Sequence, residues 1–146
     1  MSQLSEADYM DEAKRRLNDW GAEDWRQRQL SGFARETLEQ VMADYRMIPH
    51  ATGMRKEVER PDIIEIDEIV SKLGQQPGGQ DIVRALWTFH AVRKRERDGH
   101  GVWHEDGRLS QNEVAAVMGR SRAQVRSWLE SGWWWVAAAL AHRGYP

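Results

Sequence analysis

The chain has 146 residues, enough to bury a genuine core, and eight Trp within a 40% apolar composition argue for a packed protein over a disordered one. It contains no Cys, which excludes disulfides, thiolate nucleophiles and any cysteine-ligated zinc or iron–sulfur centre. The net charge of -2 hides an asymmetry: residues 1–80 carry eleven Lys/Arg against sixteen Asp/Glu and residues 81–146 carry ten against seven, so the two parts stand at -5 and +3. A basic partner surface is therefore expected towards the C-terminus. So small a total charge implies modest non-specific DNA affinity, because that affinity scales with the number of phosphates neutralised, and recruitment by a second protein would then help. No apolar run is long enough to cross a bilayer, and MSQLSEADYMDEAKRR lacks the apolar core of a signal peptide. A soluble cytoplasmic protein without a membrane partner is the expectation.

Ser5 opens a helical pattern with acidic residues early and Lys14, Arg15 and Arg16 later, as the helix dipole favours. Tyr9, Ala13, Leu17 and Trp20 recur on one face, and Gly21 is expected to break or bend the helix before Trp25 and Leu30. A turn at Leu30–Phe33 leads into a second amphipathic helix through Leu38, Val41, Met42 and Tyr45, which must stop before Pro49. From Pro49 to Pro61 periodicity disappears, and the basic residues there suit a solvated connection.

DIIEIDEIVSKLG, residues 62–74, has Ile63, Ile66, Ile69, Val70 and Leu73 at helical spacing, with a strand over Ile63–Ile66 as the alternative. Asp62, Glu65, Asp67 and Glu68 read as solvated charge on the outer face of that helix. GQQPGGQ is a turn without the Gly-Lys-Ser/Thr ending of a phosphate loop. Asp81 to Val92 is a helix apolar around much of its circumference, and so central to a core. A basic burst follows, Arg93, Lys94, Arg95 and Arg97, and then DGHGVWHEDG, a loop or short hairpin. It reads either as a phosphate-contacting wing or as a solvated helix end. His100, His104, Glu105 and Asp106 make no metal site, since Gly and loop residues separate them, and neither a metal nor a cofactor is expected.

LSQNEVAAVMGRSRAQVRSWLE, residues 109–130, reads as a helix-turn-helix. Ser110 and Glu113 have capping-box spacing, Gly119 suits the left-handed residue that ends a helix, and Ser121 caps a second helix at once. Val125, Trp128 and Leu129 form its inner stripe, while Arg122, Ala123, Gln124, Arg126 and Ser127 face outward. An ordinary helical hairpin in a bundle is the alternative. Charge favours DNA: Arg122, Gln124, Arg126 and Ser127 are candidates for base contact, with Gln111, Arg120, Ser121, Arg93, Lys94 and Arg95 as further DNA contacts. The ending SGWWWVAAALAHRGYP makes a final helix too short to span a membrane. Trp133, Trp134 and Trp135 offer a protein interface, or two of these rings seal the core over Trp87 and Trp128.

These segments resemble the late-gene antitermination Q proteins of lambdoid bacteriophages, in the group typified by phages 21 and 82. The likeness runs through LNDWGAEDW (17–25), IDEIVSKL (66–73), DIVRALWTFHAV (81–92) and the stretch from Leu109 to Leu140. Met118-Gly119-Arg120-Ser121 and Gln124-Val125-Arg126 stand where that group has Leu-Gly-Lys-Ser and Lys-Val-Arg. The segment Arg93–Arg108 stands where that group has a short turn. The resemblance implies binding to double-stranded DNA beside a late promoter, loading onto a sigma-containing bacterial RNA polymerase, and read-through of terminators in the host cytoplasm. The fold expected is all-α: an N-terminal helical region with a basic loop over residues 1–60, and over 61–146 a sigma region 4-like helix-turn-helix domain with a Trp-rich final helix. A second copy of the chain is a further candidate partner. An assembly protein such as a phage small terminase subunit, or a promoter-binding repressor, is the alternative. No constellation supplies nucleophile, base and orienter together, so an enzyme is not expected.

Overall fold

The computed structural model describes residues 5–30 and 60–144. Its elements in chain order are α1 (Glu6–Leu30), α2 (Pro61–Gly74), α3 (Gly79–His90), β1 (Arg93–Arg97), β2 (Trp103–Arg108), α4 (Gln111–Met118) and α5 (Arg122–His142). The described residues are mostly helical, in keeping with the all-α reading, and a two-stranded hairpin is set between α3 and α4. The helix expected through Leu38–Tyr45, and the connection from Pro49 apart from Arg60 and Pro61, lie outside the described residues.

Ser5 and Asp8 cap the start of α1 reciprocally: the Asp8 N–H donates to Ser5 Oγ at 3.2 Å and the Ser5 N–H to Asp8 Oδ2 at 3.1 Å. Ala13, Leu17 and Trp20 then bury one face. The expected break at Gly21 does not occur, and α1 runs straight through it. The reason lies across the interface, where a Cβ at Gly21 would sit 2.2 Å from the His90 carbonyl oxygen. Gly21 is a crossing point for two backbones.

Pro61 starts α2, where its missing N–H costs nothing, and Ile63, Ile66, Ile69, Val70 and Leu73 are buried along one face of that helix, which removes the strand alternative. Asp67 corrects the expectation of a solvated carboxylate face. It is buried, and its Oδ1 accepts the Trp20 indole N–H at 3.1 Å.

Helix α3 holds the centre, with Leu86, Trp87 and Thr88 fully buried. Residues of α1, α2, α3, α4 and α5 contribute to one hydrophobic core, so the boundary expected at residue 60 does not divide it. Three further indoles tie elements together: Trp87 donates to Asp24 of α1, Trp135 to the Ile69 carbonyl of α2 at 3.2 Å, and Trp133 to His90 Nε2 at 2.9 Å. The final helix expected after Ser131 is not separate, because α5 is continuous from Arg122 to His142. Gly132 lies in its middle because α5 crosses α3 there; a Cβ would come within 2.7 Å of a Leu86 methyl.

His90 closes α3. Its Nε2 accepts from Trp133, so the ring proton sits on Nδ1 and is donated to Asn18 Oδ1 at 2.7 Å. Burial, with smaller contributions from Arg108, Arg93 and Lys14, pushes the imidazole down to about 3.

Gly21→Ala should stabilise a helix by about 1 kcal/mol on propensity alone, yet the backbone contact reverses the sign. A net loss of roughly 1–3 kcal/mol is expected by urea unfolding. For His90, the unfolded chain binds a proton below about pH 6.5 that the folded chain refuses down to about 3. Its contribution to stability is therefore complete above pH 6.5 and declines below it by up to ~1.4 kcal/mol per pH unit. By NMR the His90 ring should stay neutral, with its proton on Nδ1, at pH 5.

Candidate nucleic-acid interface

The local chemistry of residues 109–130 acts as the sequence suggests. Ser110 Oγ accepts the Glu113 N–H at 3.2 Å and Glu113 Oε1 accepts the Ser110 N–H at 3.0 Å, which sets the start of α4. Gly119 takes a left-handed φ of 66° and turns the chain. Ser121 Oγ then accepts the Gln124 N–H at 3.1 Å, and α5 begins. Val125 and Leu129 are buried in the same core as Val114 and Ala115 of α4, with Trp128 half-buried beside them. Arg122, Ala123, Gln124, Arg126 and Ser127 are exposed on the other side.

Arg122, Arg126 and Glu130 line one side of an open cleft of about 540 Å³. Ser110, Gln111 and Asn112 line the other, at the start of α4, and Lys14 reaches in from α1 above Trp133. The lining holds three cations, one carboxylate and two side-chain amides, a set suited to an anionic ligand. Arg126 Nε meets Glu130 Oε1 at 3.1 Å, an exposed pair one helical turn apart that a phosphate can displace at little cost. Lys14 Nζ lies 4.4 Å from the centre of the Trp133 ring, which holds the ammonium in place without neutralising it. Besides Asn112, the neighbour of the expected Gln111, sequence reasoning missed Lys14. It reads there as ordinary charge near the middle of α1, and only the packing of α1 against α5 brings it to the cleft.

Of the residues expected to contact DNA, Gln111, Arg122 and Arg126 therefore meet in one place. Arg120, Ser121, Gln124 and Ser127 are exposed along the same turn and helix, outside the cleft lining. Ser121 uses its hydroxyl oxygen as a cap, and Arg120 donates to the neighbouring Gly119 carbonyl at 3.2 Å.

The basic burst is divided by the hairpin, not presented as a single cluster. Arg93 turns inward and donates to the carbonyls of His90 at 2.7 Å and Ala91 at 3.2 Å, and its pKa is lowered by burial and then by Arg108. Lys94 bonds both carboxylate oxygens of Glu113, at 2.9 and 2.8 Å. This pairing draws Glu113 below the usual carboxylate range and ties β1 to the start of α4. Both residues are thus engaged within the chain, while Arg95 stays exposed over the Trp103 ring, 4.6 Å from its centre.

The Trp trio is divided too. Trp133 is buried and Trp135 half-buried, each with its indole N–H donated inside the fold, and Trp134 alone of the three is exposed, at 49%. Two of the three rings thus pack into the fold, as the core-sealing alternative had it, which leaves Trp134 as the one candidate of the trio open to solvent. Among the described residues no group of three or more His, Asp or Glu is placed to hold a metal ion, and no helix is long and apolar enough to cross a membrane. No family model matches the chain, nor does any curated protein or solved structure.

Proposed function

We propose that α4 and α5 act as a helix-turn-helix on double-stranded DNA. In this reading the chain is a phage transcription antitermination factor without catalytic activity, working in the bacterial cytoplasm. The observation that carries the DNA part is the two-sidedness of the first turns of α5. One side is locked into the core by Val125 and Leu129, and the other offers Arg122, Gln124, Arg126 and Ser127 to solvent. A helix held this way can enter a major groove without unpacking, and arginine is suited to the acceptor pair of a guanine. Gln111, Asn112 and Lys14 lie where the adjoining backbone can be gripped, which fixes the register of the reading helix on the duplex.

The antitermination part rests on the resemblance of residues 17–25, 66–73, 81–92 and 109–140 to the lambdoid Q proteins. A sigma-containing RNA polymerase is the second partner in this reading. The low total charge supports a need for one, because the protein alone gains little from phosphate neutralisation. Trp134, exposed on α5, is available for that contact or for a second copy of the chain.

Run-off transcription with purified polymerase tests the reading, on a template with a phage late promoter followed by a terminator. The protein should produce read-through, and the double variant Arg122→Ala, Arg126→Ala should abolish it. Reduced initiation with unchanged termination would mark a repressor. No effect on either, together with a ring-sized mass at low concentration, would mark an assembly protein. In DNA binding, Arg126→Ala should cost roughly 1–3 kcal/mol at the specific site and little elsewhere. Lys14→Gln should weaken all duplexes alike and lower the salt slope by about one phosphate contact. Both effects are read from binding isotherms at several salt concentrations.

A further inference from the structure

The described residues expose three large apolar side chains, and two of them are neighbours on the hairpin: Val102 at 54% and Trp103 at 50%. Strand register explains what surrounds them. Arg97 pairs directly with Trp103 across the ladder, and Arg95 sits at the irregularity where the register shifts between Lys94 and Glu96. Their guanidinium carbons lie 5.8 and 4.6 Å from the centre of the indole ring. Neither arginine forms an ion pair among the described residues. Arg97 is oriented by donating Nε–H to the Gly101 carbonyl at 3.2 Å. Gly101, at a φ of 81°, leaves room for it, since a Cβ would stand 3.2 Å from the Arg97 side chain.

The turn that carries this face is braced from within. Asp98 accepts the N–H groups of His100 at 2.8 Å and Val102 at 3.0 Å, and its other oxygen meets His104 Nε2 at 2.7 Å. At its base the hairpin is tied down by Arg93 and Lys94. A half-exposed indole with two guanidiniums over its ring is thus presented on a braced turn.

We propose that this face, Arg95, Arg97, Val102 and Trp103, binds unpaired nucleobases together with their flanking phosphates. Stacking needs a base whose π face is free, which a duplex hides and a single strand offers; the two arginines supply the charge that phosphates require. The ligand chemistry is shared by melted DNA and by RNA. This site is separate from the cleft beside α5, and its success or failure does not depend on duplex recognition there.

The test is fluorescence anisotropy of end-labelled dT12, rU12 and a 12-base-pair duplex, using the full chain and the variants Trp103→Ala, Trp103→Phe and Arg95→Ala with Arg97→Ala. Both single strands should bind the unaltered protein. Trp103→Ala should weaken that binding by about 5- to 150-fold, as expected for losing one stacked base, while Trp103→Phe retains most of it. The arginine pair variant should weaken binding and flatten its salt dependence. Circular dichroism checks that folding is unchanged. Tighter binding of rU12 supports the site and assigns it to RNA, and tighter binding of dT12 supports it and assigns it to melted DNA. Equal binding by the protein and Trp103→Ala would overturn the proposal, as would a duplex that competes fully with either strand. Failure of both strands to bind would also overturn it.

Discussion

A neutral, buried imidazole at the end of α3 is the point on which the arrangement depends. His90 accepts from Trp133 of α5 and donates to Asn18 of α1, and Asn18 Oδ1 also accepts from Arg108 at the end of β2, at 2.6 Å. The His90 carbonyl accepts from Arg93 at the start of β1 and lies against the Cα of Gly21. One residue therefore relates three helices and both strands. The network is satisfied only in the neutral form, because a second ring proton would face the Trp133 N–H with no acceptor.

Around this point, packing is set by close approach as much as by apolar bulk. Gly21 and Gly132 allow α1 and α5 to cross α3 at distances that any side chain would prevent, and Trp20, Trp87 and Trp135 then fix each neighbour through an indole hydrogen bond. The large rings fill volume while their N–H groups specify which surface they meet. The continuity of α5 matters for the proposed function. Its first turns present the candidate reading face and its later turns lie in the core, so the face is held by the whole molecule and not by α4 alone.

The distribution of cations follows a similar division. Arg16 is buried between Glu12 and Glu65, Arg93 satisfies the open carbonyls at the end of α3, and Lys94 neutralises Glu113. Lys14, Arg122 and Arg126 line the cleft, while Arg95 and Arg97 flank an exposed indole. The same residue type thus serves as internal tie in one set and external charge in the other. The internal ties lie buried or half-buried against their partners, whereas the Arg126–Glu130 pair is exposed to solvent and open to exchange.

The sequence by itself determined the features that act over three or four residues. Ser5, Ser110 and Ser121 cap helices, Gly119 turns the chain, Pro61 starts α2, and the inner stripe of α5 lies at Val125 and Leu129, because caps, turns and helical periodicity depend on near neighbours. The cleft residues Gln111, Arg122 and Arg126 were legible for that reason. Tertiary structure alone decided the rest. It made Gly21 and Gly132 crossing points instead of breaks, buried Asp67 beneath Trp20, turned Arg93 and Lys94 inward, left Trp134 as the exposed member of its trio, and carried Lys14 to the cleft. Apart from Arg93, whose acceptors lie two and three residues back, those outcomes depend on residues many positions away, and the local pattern holds no trace of them.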